Sequence, residues 1–194
     1  MENILYKDYI FEFVDEQKEY SINGKNREIK RKFVRRPPGI RAIIVNKKNE
    51  ILLSKEYRYE LECFDYRLPG GKVFDNIEEY KESLNNNTIQ DNVYNTVAKE
   101  VKEELGIIVK NPKLYTISHD GASVEWDLYY FIVDEYEIIA NGQELEENEI
   151  IEGFVWKKPD DIIKMCIDRQ IHEDRTIGVL LSYILKNKNE VKNE

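Results

Sequence analysis

Three glutamates in the run Ala98-Lys99-Glu100-Val101-Lys102-Glu103-Glu104-Leu105-Gly106-Ile107 have the spacing of a chemical site. On a helix of 3.6 residues per turn, positions 100, 103 and 104 are i, i+3 and i+4 neighbours, so their carboxylates share one patch beside the apolar stripe of Val97, Val101 and Leu105. Like charges that close repel one another, whereas a hard divalent cation such as Mg2+ takes oxygen ligands and reverses the sign of the interaction. Acidic helix faces are also common as mere solvated surface, so what precedes the helix matters. Arg67-Leu68-Pro69-Gly70-Gly71-Lys72-Val73 reads as a strand end breaking into a Pro-Gly-Gly loop, where glycines let backbone groups come close to a ligand.

A glycine loop followed by a carboxylate helix resembles the Nudix hydrolases, whose signature is G-x5-E-x7-R-E-U-x-E-E-x-G-U with U aliphatic. Gly71, Asp91, Lys99, Glu100, Glu103, Glu104 and Gly106 take its places, with Asp91 where the signature has Glu and Lys99 where it has Arg. Asp91 suits an N-cap of the helix, and Lys99 offers a point charge in place of a two-pronged guanidinium. Roughly fourteen extra residues, falling within about Phe74 to Gln90, are inserted ahead of the helix, a length that a loop absorbs at small entropic cost. Within them Ile77, Tyr80 and Leu84 have amphipathic-helix spacing, Asp75 or Asn76 could cap that helix, and Asn85-Asn86-Asn87 suits a turn. The insertion reads either as a lid beside the site or as a packed surface element.

The resemblance implies a division of labour. Glu100, Glu103 and Glu104, with the backbone carbonyl of Gly70, would hold one to three Mg2+ ions, Mn2+ being an alternative. Glu147, or failing it Glu149, would orient or deprotonate the attacking water, and Glu103 and Lys99 would complete the catalytic set. Short matches in the right order point to the ADP-ribose pyrophosphatase branch: Glu56-Tyr57-Arg58, Gly121-Ala122-Ser123-Val124-Glu125 and Glu146-Glu147-Asn148-Glu149. The substrate-binding candidates are Arg58, Glu125, Arg36 and Arg67, while Tyr57, Phe64, Tyr66 and Trp126 offer faces for a base. The implied reaction is hydrolysis of the pyrophosphate bond of a nucleoside-diphosphate sugar, ADP-ribose to AMP and ribose 5-phosphate. GDP-mannose, another nucleotide sugar or a nucleoside triphosphate are alternative substrates, and a non-catalytic ADP-ribose sensor is an alternative function.

The elements that must position these groups follow from the pattern along the chain. Residues 4 to 35 alternate and turn at Asn23-Gly24, which predicts a small antiparallel β-hairpin or meander. Arg35-Arg36-Pro37-Pro38-Gly39 interrupts it, and strands follow at Ile40 to Val45 and Ile51 to Ser54. After the glutamate helix come strands at Leu114 to Ser118, Trp126 to Val133 and Gly153 to Trp156, then helices near Pro159 to Arg169 and Ile177 to Lys186. This order suits an α/β fold, by resemblance a Nudix-type α/β/α sandwich with a mixed sheet and a small N-terminal antiparallel β-sheet. Residues 1–36 would be the extension, and residues 37–194 the Nudix domain with its insertion at about 74–90. In the branch that extension often exchanges between subunits, which implies a homodimer.

Composition narrows the partners. A chain of 194 residues that is 41% hydrophobic and 35% charged can bury one good core, and no apolar run reaches the ~18 to 20 residues of a membrane span. The formal charge of -9 argues against a nucleic-acid polymer, which needs a basic groove, but not against a small phosphate ester bridged by a metal. Cys63 and Cys166 read as reduced, the acidic start Met1-Glu2-Asn3 lacks a signal peptide's basic region, and the expected location is the cytoplasm.

Overall fold

The computed structural model describes residues 1–139, 143–145 and 149–190. Three N-terminal strands, β1 (Glu2–Lys7), β2 (Glu12–Ile22) and β3 (Lys25–Arg35), form an antiparallel meander. Asn23 and Gly24 both take positive φ, at 52° and 73°, the conformation that a two-residue hairpin turn needs to match strand twist. Alternation along β2 turns Glu12, Val14 and Glu16 inward, so two of its three buried side chains are carboxylates. Each is compensated: Glu12 by Arg35 at 2.9 Å, Glu16 by Arg31 at 2.6 Å.

The central strands are β4 (Gly39–Ile44), β5 (Ile51–Arg58), β6 (Cys63–Arg67), β8 (Lys113–Ser118), β10 (Leu128–Val133) and β12 (Ile151–Lys157). Strand β10 lies between β4, to which it is parallel, and antiparallel β8, while β5 lies between β6 and β12. Strands covered on both faces read as near-continuous apolar runs; β10 does so, and β4 does so but for Arg41. Ile40, Ala42, Ile44, Leu52, Phe131 and Val133 face helix α2 (Ile89–Leu105), meeting its Val93, Val97, Val101 and Leu105. Ile43, Ile51, Leu53, Leu128 and Tyr130 face the other way, against Ile162, Met165 and Cys166 of α3 (Pro159–Ile167) and Leu180, Tyr183 and Ile184 of α4 (Asp174–Glu190). Helices on both faces of mixed strands make the expected α/β/α sandwich.

Several details depart from the sequence reading. Strand β5 continues to Arg58, and β7 (Ile107–Lys110) pairs with β11 (Glu135–Ile138), two short strands that the apolar pattern did not mark. Helix α2 starts at Ile89 behind Thr88, so Asp91 is not the N-cap; it sits in the first turn, where its charge still faces the positive end of the helix. Helix α1 (Ile77–Asn86), in the segment read above as an insertion, is capped by Asn76, whose side chain accepts the Glu79 amide. It docks on the N-terminal strands: Ile77 N–H donates to the Tyr9 carbonyl, Lys81 pairs with Glu12 at 3.0 Å, and Lys7 pairs with Glu78. The two-residue strand β9 (Val124–Glu125) adds a parallel edge to β3, which joins the meander to the segment leading into β10. Both cysteines are free. Among the described residues no helix is long and apolar enough to cross a membrane.

Candidate active site

Helix α2 and the Pro69-Gly70-Gly71 loop meet edge to edge. Gly70 has φ of 146°, and a β-carbon there would collide with the Ile40 backbone, so the loop runs where only glycine fits. Its flanking carbonyls are tied down: Pro69 accepts the Ala42 amide at 2.8 Å and Gly71 the Ile40 amide at 2.9 Å. The Gly70 N–H donates to Glu104 Oε2 at 3.1 Å, and the missing β-carbon of Gly71 makes room for the Glu100 carboxylate.

The three helix glutamates differ in surroundings. Glu104 is buried, and burial first, then the like charge of Glu100, pushes its carboxyl well above the usual carboxylate range; Glu56 and Glu149 add to the repulsion and Arg41 opposes it. Glu103 lies further out and pairs with the largely exposed Lys99 at 3.6 Å. Among the described residues no three acidic, histidine or cysteine side chains are gathered tightly enough to hold a metal ion alone. Oxygen donors nonetheless dominate this corner, and a buried carboxyl repelled by three others is a group that a hard cation would relieve. The residues therefore fit a divalent cation such as Mg2+.

A cavity of about 290 Å³ opens beside them. Carboxylates of Glu56, Glu104 and Glu149 line it together with the guanidiniums of Arg36, Arg41, Arg58 and Arg67 and the Gly70-Gly71 loop. Arg58 is held by Glu56 at 2.7 Å and Glu60 at 3.0 Å. Arg41 and Arg67 share one counter-ion, Glu173, which meets Arg41 Nε and Nη2 and Arg67 Nη2, all at 3.3 Å. Burial alone would raise the Glu173 carboxyl, but Arg41 and Arg67 outweigh it and hold the group at about 2. Asp65 completes the support, taking Arg67 Nη1 at 3.2 Å and the His172 amide at 3.1 Å.

Arg36 is different. Its guanidinium rests over the Trp126 ring, 4.2 Å from the centroid, and among the described residues no carboxylate pairs with it. Its buried Nε has no hydrogen-bond partner, and burial, then Arg41 and Arg175, push its pKa down. An uncompensated guanidinium in a cavity wall is a receptor for an anion.

The structure thus brings Gly70, Glu104, Glu149, Arg36, Arg58 and Arg67 together, with Glu100 alongside. It does not bring Glu125 or Lys99 to the cavity: Glu125 pairs with Arg35 at 3.1 Å and Arg31 at 3.8 Å in the N-terminal sheet. Glu147 lies outside the described residues. No residue of the insertion lines the cavity. The sequence reading missed Arg41, Glu56 as a lining group, Glu173 and Arg175. A charge inside the otherwise aliphatic Gly39–Ile44 strand was the available signal for Arg41; the helix-start pair Glu173 and Arg175 gave none.

The NUDIX domain profile matches residues 35–176. A curated relative, the ADP-ribose pyrophosphatase of Bacillus subtilis (strain 168), is 24% identical over 156 residues, covering 79% of this chain and 75% of that protein. A solved structure described as "Crystal structure of ADP compounds hydrolase" superimposes with a TM-score of 0.66 at 16% identity, over 99% of this chain and 93% of its own.

Proposed function

This chain belongs to the Nudix hydrolase family, and from that premise we propose that it hydrolyses the pyrophosphate bond of ADP-ribose to AMP and ribose 5-phosphate with Mg2+. The observation that carries the reading is the sharing of one cavity by carboxylates and guanidiniums, an arrangement suited to a cation-bridged diphosphate and ill suited to a neutral ligand. The names of the relative and of the solved structure favour an adenosine diphosphate compound.

Glu100, Glu104 and the Gly70 carbonyl would hold the metal, with Glu103 beside them. A divalent cation held there would supply screening of the phosphoryl oxygens and a lowered pKa for bound water. Arg36, Arg58 and Arg67 would bind and orient the phosphates. Glu149, or Glu147, would take the proton of the attacking water, a role worth about 10² to 10⁴ in rate. Lys99 would steady Glu103.

Incubation with ADP-ribose and MgCl2 should release AMP, and chelation should stop it. Release of GMP from GDP-mannose at a greater kcat/KM would move the assignment to that sugar, and calorimetric binding of ADP-ribose without turnover would make the protein a sensor.

We further propose that residues 1–36 act as an extension through which two copies associate in the cytoplasm. Support comes from the apolar side chains that this sheet exposes, Ile4, Leu5, Tyr6, Ile22 and Ile29 among them, and from the free thiols. Light scattering that reports a monomer at micromolar concentration would refute the dimer.

A further inference from the structure

Two guanidiniums share one indole. Arg36, just past the end of β3, and Arg175, in the first turn of α4, lie 4.2 and 4.8 Å from the Trp126 ring centroid. Arg175 is also bonded to the chain on which that indole hangs. Its Nη2 donates to the carbonyls of Ser118 at 2.6 Å and Trp126 at 3.0 Å, and its Nε to Ser118 Oγ at 3.2 Å. Ser118 ends β8 and Trp126 stands just before β10, so one side chain clasps both ends of the intervening 119–125 segment. A planar fork with several fixed donors can do this while stacking; an ammonium cannot.

The backbone brings Arg36 to the same place. Its N–H donates to the Glu125 carbonyl at 3.1 Å, and Gly39 N–H donates to Asp127 at 2.9 Å, so Trp126 is flanked by two bonds to the Arg36–Gly39 segment. Ring, carbonyls and second guanidinium therefore fix where the Arg36 head can rest. Nη1 of Arg175 is buried without a hydrogen bond, and its nearest carboxylate, on Asp120, stands 3.8 Å away. Two cations held close on one ring concentrate positive potential; Arg175 has the longer pair with Asp120, while among the described residues no carboxylate pairs with Arg36. An anion from outside would.

We propose that Arg175 is a positioning residue for substrate binding: acting through Trp126, it fixes the Arg36 guanidinium in the cavity wall to receive a phosphoryl oxygen. This rests on the reading of the cavity as a diphosphate site. The claim is about binding, so its test uses inorganic pyrophosphate, without divalent cation, titrated calorimetrically into the wild type, Arg36→Ala, Arg175→Ala and the double variant. Thermal melting checks that each is folded, and Arg175→Lys, which keeps the charge but loses the fork, carries the cycle if Arg175→Ala does not fold.

Arg36→Ala should weaken pyrophosphate binding about tenfold or more, Arg175→Ala or Arg175→Lys about fivefold, and the double variant should match Arg36→Ala within about twofold, because one residue acts through the other. Losses that multiply, an Arg175 variant that binds like the wild type, or a wild type that does not bind pyrophosphate would each overturn the proposal. Turnover of ADP-ribose is read in parallel. The expected pyrophosphate pattern without AMP release would refute the substrate reading and leave this inference standing, whereas AMP release with multiplying losses would do the reverse.

Discussion

Glu104 reaches from α2 to the glycine loop and accepts the Gly70 amide at 3.1 Å, so the acid helix and the loop are one unit. Glu104→Gln keeps an acceptor for that amide while removing the charge. The variant should therefore melt at or above the wild-type temperature, since a buried, repelled carboxyl is lost. Turnover of ADP-ribose should fall by about 10²-fold or more, with a higher Mg2+ requirement. A variant that hydrolyses at the wild-type rate would remove Glu104 from the metal set.

The two loop glycines should respond differently to alanine. At Gly70 the new β-carbon meets the Ile40 backbone, which cannot step aside, and the positive φ adds strain, so Gly70→Ala should cost about 1–3 kcal/mol of stability. At Gly71 it meets only the end of the Glu100 side chain, which can swing away. Gly71→Ala should melt normally yet lose most of its activity. Urea unfolding and a rate assay on both variants separate the two outcomes.

Stability in acid should report Glu173. Its carboxyl is held at about 2, against 4.5 for an ordinary glutamate, because Arg41 and Arg67 favour the ionised form. A depressed value means stability that is fully present above pH 4.5 and is lost as pH falls through about 2, a contribution on the order of 3 kcal/mol at neutral pH. Glu173→Gln should unfold at lower urea at pH 7, and the gap from the wild type should close between pH 4.5 and 2. A constant gap across that range would show that some other loss explains the destabilisation.

Local patterns were legible in the chain, and long-range pairing was not. The α2 stripe of Val97, Val101 and Leu105, the Asn23-Gly24 turn and the Gly70-Gly71 loop each carry their own signal within a few residues. Arg41 and Glu173 are 132 positions apart, and Arg35 and Glu125 are 90 apart; the β3–β9 pairing sets Arg35 opposite Glu125, and the packing of the start of α4 against β4 sets Glu173 beside Arg41. That is why Glu125, read from a local motif, is found against Arg35, and why the counter-ions of the cavity floor went unnoticed. Strands β7 and β11 escaped for a related reason, being four residues each and paired across residues distant in the chain, Lys110 with Glu135 and Ile107 with Ile138.

The insertion offers a last separation of roles. Glu12 is fully buried, and Lys81 of α1 is one of two cations that compensate it. Removing one partner leaves part of a buried charge unpaired, so Lys81→Met should lower stability by about 1–3 kcal/mol, seen as a lower melting temperature. Because no residue from 74 to 90 lines the cavity, KM for ADP-ribose should stay within about twofold of the wild type. A KM that rises several-fold at unchanged melting temperature would instead make α1 a lid, closing over the cavity from the N-terminal sheet on which it rests.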